Sequence, residues 1–101
     1  MIRVSVLYPN ESGKKFDHDY YANKHMPLVG RLLKPVRYEV DKGLAGGAPG
    51  APAPFVAACH IYFNSLGDFQ ANMGAHGKTL MEDIPNYTNI QPQIQVSEIV
   101  G

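Results

Sequence analysis

The sequence predicts an α+β fold in the order β, α, β, β, α, β, with two helices on one face of a four-stranded sheet. Three observations carry this reading. Ile2, Val4, Val6 and Tyr8 alternate with Arg3, Ser5 and Leu7. Tyr21, His25, Leu28 and Leu32 recur at helical spacing. The run Phe55–Phe63 has no Asp, Glu, Lys or Arg and is apolar on both strand faces.

Each element follows from its residues. Period-two alternation makes Ile2–Tyr8 a strand, and the Pro-Asn-Glu-Ser-Gly run after it is a loop. Asp17 is a fitting N-cap for a helix reaching Leu33, with Asp19 at the positive end of its dipole. At roughly 100° per residue, Tyr21, His25, Leu28 and Leu32 fall within an arc of about 60°. Pro27 conflicts with that helix. It has no amide hydrogen and crowds the carbonyl of Asn23, which predicts a kink or loosened turn near His25. Pro35 to Lys42 is the second strand, with Val36, Tyr38 and Val40 on one face. Residues 43–54 contain only Gly, Ala, Pro and one Leu, the composition of a flexible connector. Ser65-Leu66-Gly67-Asp68 resembles a capping box and opens a second helix, which Gly74 is expected to stop. Another helical turn follows from Lys78 to Ile84, and Ile94–Val100 is the last strand.

At 101 residues the chain is a single domain, 1–101, with a thin core. Nine basic and nine acidic residues give no net charge, and no basic face forms, so nucleic acid is not the expected partner. One cysteine, Cys59, excludes an internal disulfide. With no signal-peptide layout and no long apolar run, a cytoplasmic protein without a membrane partner is expected. Two helices cover one sheet face only. The apolar second face of Phe55–Phe63 (Val56, Ala58, His60, Tyr62) therefore predicts a homodimer, against the rival of a monomer with a ligand groove.

His25 stands in an apolar stripe beside a weakened turn. It is either a core histidine bonded to a carbonyl or a general acid/base suited to neutral pH. His60 and Tyr62 share a strand face, about 7 Å apart. They line a cleft with His25 if that face looks toward the helices, and an interface if it does not. His18 reads as a capping or solvated residue and His76 as a loop residue. No metal site is expected, because His18 and His25 lie two turns apart and no His-Glu-x-x-His or Cys-x-x-Cys occurs. No cofactor is expected either. Gly77-Lys78-Thr79 lacks the first glycine and the preceding strand of a phosphate loop, and the glycines of 43–50 lack dinucleotide spacing. The aromatic residues suit a small apolar or aromatic ligand.

Three segments carry a family resemblance. Phe16-Asp17-His18-Asp19-Tyr20-Tyr21-Ala22-Asn23-Lys24-His25-Met26-Pro27-Leu28-Val29 resembles the signature helix of the EthD family, with its Tyr-Tyr pair and its His-x-Pro-Leu. Phe63–Phe69 resembles the family's passage from third strand to second helix, and Asp83-Ile84-Pro85-Asn86-Tyr87-Thr88-Asn89 its Asp-x-Pro-Asn-aromatic-Thr segment. The family takes its name from ethyl tert-butyl ether degradation and is often filed with oxidoreductases. The resemblance implies ferredoxin-like subunits that pair sheet to sheet as a dimeric α+β barrel, each with a cleft between helices and sheet. It places the family's helix histidine on His25, its tyrosine pair on Tyr20 and Tyr21, and its aspartate on Asp83. The expectation is a catabolic enzyme or accessory protein, of oxidoreductase or isomerase type. His25 would serve as acid/base with Tyr21 beside it, and Tyr20, His60, Tyr62 and Asp83 would meet the substrate. A non-catalytic carrier or sensor of a small hydrophobic ligand is the alternative.

Overall fold

A computed structural model describes residues 1–101. Strand β1 (Ile2–Pro9) is followed by a helical stretch made of α1 (His18–Tyr20), a π-helical turn (Tyr21–His25) and α2 (Met26–Leu33). Strands β2 (Arg37–Lys42) and β3 (Phe55–Phe63), helix α3 (Leu66–Asp83), a 3₁₀ turn (Ile84–Asn86) and β4 (Gln93–Glu98) complete the chain. The sheet is antiparallel throughout, in the order β2-β3-β1-β4. This is the expected βαββαβ arrangement. No helix is long and apolar enough to cross a membrane.

The alternation of β1 and β3 defines two sheet faces. Val4, Tyr8, Ala57, Cys59, Ile61 and Phe63 point inward and bury against Met26, Val29 and Leu33 of α2 and Leu80 of α3. Asp17 caps the first helical stretch by accepting the Tyr20 amide, as its sequence position predicts. The conflict at Pro27 is resolved one turn upstream. The Met26 amide bonds to the Tyr21 carbonyl five residues back, which widens the turn ahead of the proline. Lys34 then ends α2 in a left-handed conformation at φ 49°.

Four expectations are corrected. Helix α3 runs straight through Gly74, and His76 lies within it rather than in a loop. A mid-helix glycine costs only about 1 kcal/mol, which inward packing on both sides of it outweighs. The 43–54 connector is pinned, since Asn10 donates its amide to Pro54 and its side chain to Ala53. The last strand ends at Glu98, so Ile99 and Val100 lie beyond it. Finally, the second face of β3 is not an apolar face in want of cover. Register places Arg3, Ser5, Ala58, His60, Tyr62, Arg37, Glu39 and Asp41 together there. Tyr62 donates to Glu39 at 2.8 Å, Arg37 reaches the same carboxylate at 2.7 Å, and the Arg37 guanidinium sits 3.9 Å from the centre of the Tyr62 ring. Ala58 and Tyr62 are buried under this polar layer.

Candidate functional site

The inner face of the sheet and the helices form a half-open cavity of about 70 Å³. Val4, Val6, Cys59 and Ile61 form its sheet wall, and Met26, Val29 and Leu80 its helix wall. No Asp, Glu, Lys or Arg lines it. Its surface is almost wholly apolar, and the residues in its lining that carry polar groups are His25, Tyr8, Tyr21 and Cys59.

The π turn sets the geometry of two of these groups. Tyr21 and His25 begin and end it, and their rings stack with centroids 5.7 Å apart and planes 14° apart. Tyr87 packs against both rings, 4.6 Å from the imidazole and 5.1 Å from Tyr21. His25 Nδ1 is 2.8 Å from Asp83 Oδ2, at the end of α3. That carboxylate also accepts from the Tyr20 hydroxyl at 2.7 Å and from the Asn86 amide at 3.0 Å. Asp83 sits where the helix dipole opposes a negative charge, so these donors matter. Burial alone would raise its pKa, yet the hydrogen bonds from Tyr20, His25 and Asn86 outweigh that and bring it below its usual value.

An ionised Asp83 fixes the imidazole tautomer. Nδ1 carries the proton, and Nε2, which has no hydrogen-bond partner within the protein, is left as a lone-pair acceptor. Burial lowers the His25 pKa, an effect that Asp83 opposes only in part. The ring is therefore neutral at pH 7 and able to accept a proton.

The Tyr21 hydroxyl is buried and makes no hydrogen bond of good geometry, with the Cys59 thiol and the Tyr8 hydroxyl close by. Such an orphan costs about 1–3 kcal/mol. Burial drives its pKa far up, so the group remains a donor. The Tyr8 and Tyr87 hydroxyls satisfy each other at 2.6 Å. Burial pushes the Cys59 thiol up to about 11, which keeps it protonated and unreactive.

These placements sort the expected residues. His25 and Tyr21 meet at the cavity. Tyr20 and Asp83 lie behind His25 and do not line it. His60 and Tyr62 lie on the opposite sheet face, so they share no cleft with His25. His60 is satisfied there, with Nδ1 2.8 Å from Ser5 Oγ and Nε2 3.1 Å from Asp41 Oδ2. Tyr8, Asn86 and Tyr87 belong to the site without having been singled out from the sequence. For Tyr8 a signal existed, because it shares a strand face with Val4 and Val6.

The profile of the EthD domain matches residues 11–91, which span the signature helix, the helix wall of the cavity and the Asp83–Asn89 segment. The chain belongs to the EthD family. A crystallographically solved EthD-like protein of Ralstonia eutropha is 47% identical, with a TM-score of 0.94 over 99% of this chain and 92% of that one. An ethyl tert-butyl ether degradation (EthD) family protein of Bacillus halodurans shares the fold at 20% identity, with a TM-score of 0.69 over 99% of both chains. An uncharacterized 11.0 kDa protein from the thcB-thcC intergenic region of Rhodococcus erythropolis is 26% identical over 90 residues, 88% of this chain and 85% of its own. In this EthD domain, then, the family's signature helix supplies Tyr21 and His25 to the cavity lining, and the Asp83–Asn89 segment supplies the carboxylate that holds His25.

Proposed function

We propose that this EthD domain catalyses proton transfer on a small, neutral, oxygenated compound, as an isomerase does. The carrying observation is the His25 imidazole. One nitrogen is held by Asp83, the other has no partner in the chain, and the ring lines an apolar cavity. In the step envisaged, a C–H bond next to a carbonyl breaks and its proton passes to Nε2. The electron pair moves onto the carbonyl oxygen, which accepts a hydrogen bond from Tyr21. Return of the same proton to another atom of the enolate gives the isomer and restores His25. Charge development at an oxygen beside a preorganised donor in a water-poor site is the situation in which such donors act most strongly.

The test is deuterium exchange of the α-protons of butan-2-one in heavy water, followed by NMR. The expected result is protein-catalysed exchange that His25→Ala abolishes while the protein stays folded. Ketone that binds without exchanging would favour the carrier reading, which the apolar lining and the unpartnered Tyr21 hydroxyl also support.

As partner we propose a second copy, packed on the outer sheet face. No helix of this chain covers that face, and it presents both signs of charge, Arg3 and Arg37 against Glu39 and Asp41. Two copies about a twofold axis can place unlike charges opposite each other. Sedimentation equilibrium tests this. Glu39→Arg should weaken the dimer at least about tenfold, and an unchanged association constant would refute it.

A further inference from the structure

We infer that the cavity takes only the polar head of its ligand, and that the apolar body lies outside, on a strip formed by Met81 of α3 and Ile94 and Val96 of β4. The inference rests on the proposed reading of the His25 cavity and names the class of molecule that the site accepts. It is an elongated, uncharged compound with a small carbonyl-type head and a hydrocarbon body.

Three observations carry it. The first is size. The cavity holds about 70 Å³, whereas a dry cavity that accommodates benzene is about 150 Å³. Only a few heavy atoms fit beside His25 and Tyr21. The second is continuity. Met81 and Ile94 line the cavity and are nevertheless 57% and 53% exposed, so they form its rim. Val96 is two residues along β4 from Ile94 on the same face, and is 43% exposed. The register explains this, because Ile94 and Val96 pair with Val6 and Val4, both of which line the cavity. The inner face of the sheet thus continues past the helices at its β4 edge as an uncovered apolar ledge. The third is charge. The cavity is almost wholly apolar, with the neutral His25 imidazole in its lining and no charged side chain to meet an ionised head. An ion there would lose its hydration without compensation.

The experiment is a calorimetric titration with methyl ketones from butan-2-one to decan-2-one. Affinity should rise about two- to fourfold for each methylene that lands on the strip. The double variant Met81→Asp/Ile94→Asp alters two exposed side chains, so it should fold. It should reduce that gain per methylene toward none. Carboxylates and alkylamines of matched length should bind at least about tenfold more weakly than the ketones.

Affinity independent of chain length, or a slope that survives the double variant, overturns the inference. So does a double variant that alters the association state and leaves the slope intact, since the strip would then cover a second copy. The two readings fail separately. Length-dependent affinity without deuterium exchange removes the catalytic reading and keeps the strip, whereas exchange without length dependence does the reverse.

Discussion

Two histidine–aspartate pairs occupy opposite faces of one sheet, and they differ instructively. His25 and Asp83 meet at 2.8 Å with side chains 7% and 15% exposed. His60 and Asp41 meet at 3.1 Å with side chains 24% and 55% exposed. The ion-pair partner is the same, but the surroundings are not. His60 spends both ring nitrogens, one on Ser5 and one on Asp41. His25 spends one and keeps the other at a cavity free of charged side chains. A neighbouring aspartate therefore does not mark a histidine as a base. A nitrogen left over beside an apolar cavity does.

The largest expected effect breaks the inner pair. His25→Asn should cost about 10²–10⁴ in the exchange rate, measured by NMR, with the circular dichroism spectrum unchanged. Tyr21→Phe should cost about 10²–10³ in rate, as loss of a donor to a developing oxyanion does. Because it removes an orphan hydroxyl, it should leave thermal stability equal or higher, which calorimetry would read. Asp83→Asn keeps the shape but offers an amide to Nδ1, favours the wrong tautomer and should cost about 10². Proton uptake sharpens the contrast further. The folded pKa of His25 lies below its ordinary 6.5, so the unfolded chain takes up the proton first. The stability this group confers is complete above pH 6.5 and is lost as the pH falls toward the folded value. Urea melts across this range should show a decline that His25→Asn lacks. The smallest effect belongs to the outer pair. His60→Gln should change stability by about 0.5–1 kcal/mol at most in urea melts.

Much of this was legible in the residues. Alternation gave the strands, because a half-buried strand has to alternate. Pro27 announced the disturbed turn, because proline cannot be accommodated silently inside a helix. The form of the disturbance was not legible, since a kink and a π turn relieve the same clash. Gly74 misled because propensity is a small local preference that packing along α3 overrides. His60 and Tyr62 could not be assigned a side, because β3 is apolar on one face and on the other hides Ala58 and Tyr62 under polar side chains from β1 and β2. Asp83 lies 58 positions from His25 in sequence, and nothing local joins them.

The widened turn at Tyr21–His25 has a consequence for how this sequence can change. Upstream of it the helix is phased to point Tyr20 at Asp83 and Tyr21 into the cavity, and downstream it is phased by Met26, Val29 and Leu33. The turn between them absorbs one surplus residue. Removing a single codon within Tyr21–His25 would let an unbroken α-helix form with both halves still in phase, because a π turn is how a helix absorbs one extra residue without rotating its flanks. Such a deletion would leave the packing of Met26, Val29 and Leu33 in place and would alter only the spacing of Tyr21 and His25, the two rings that the widened turn stacks.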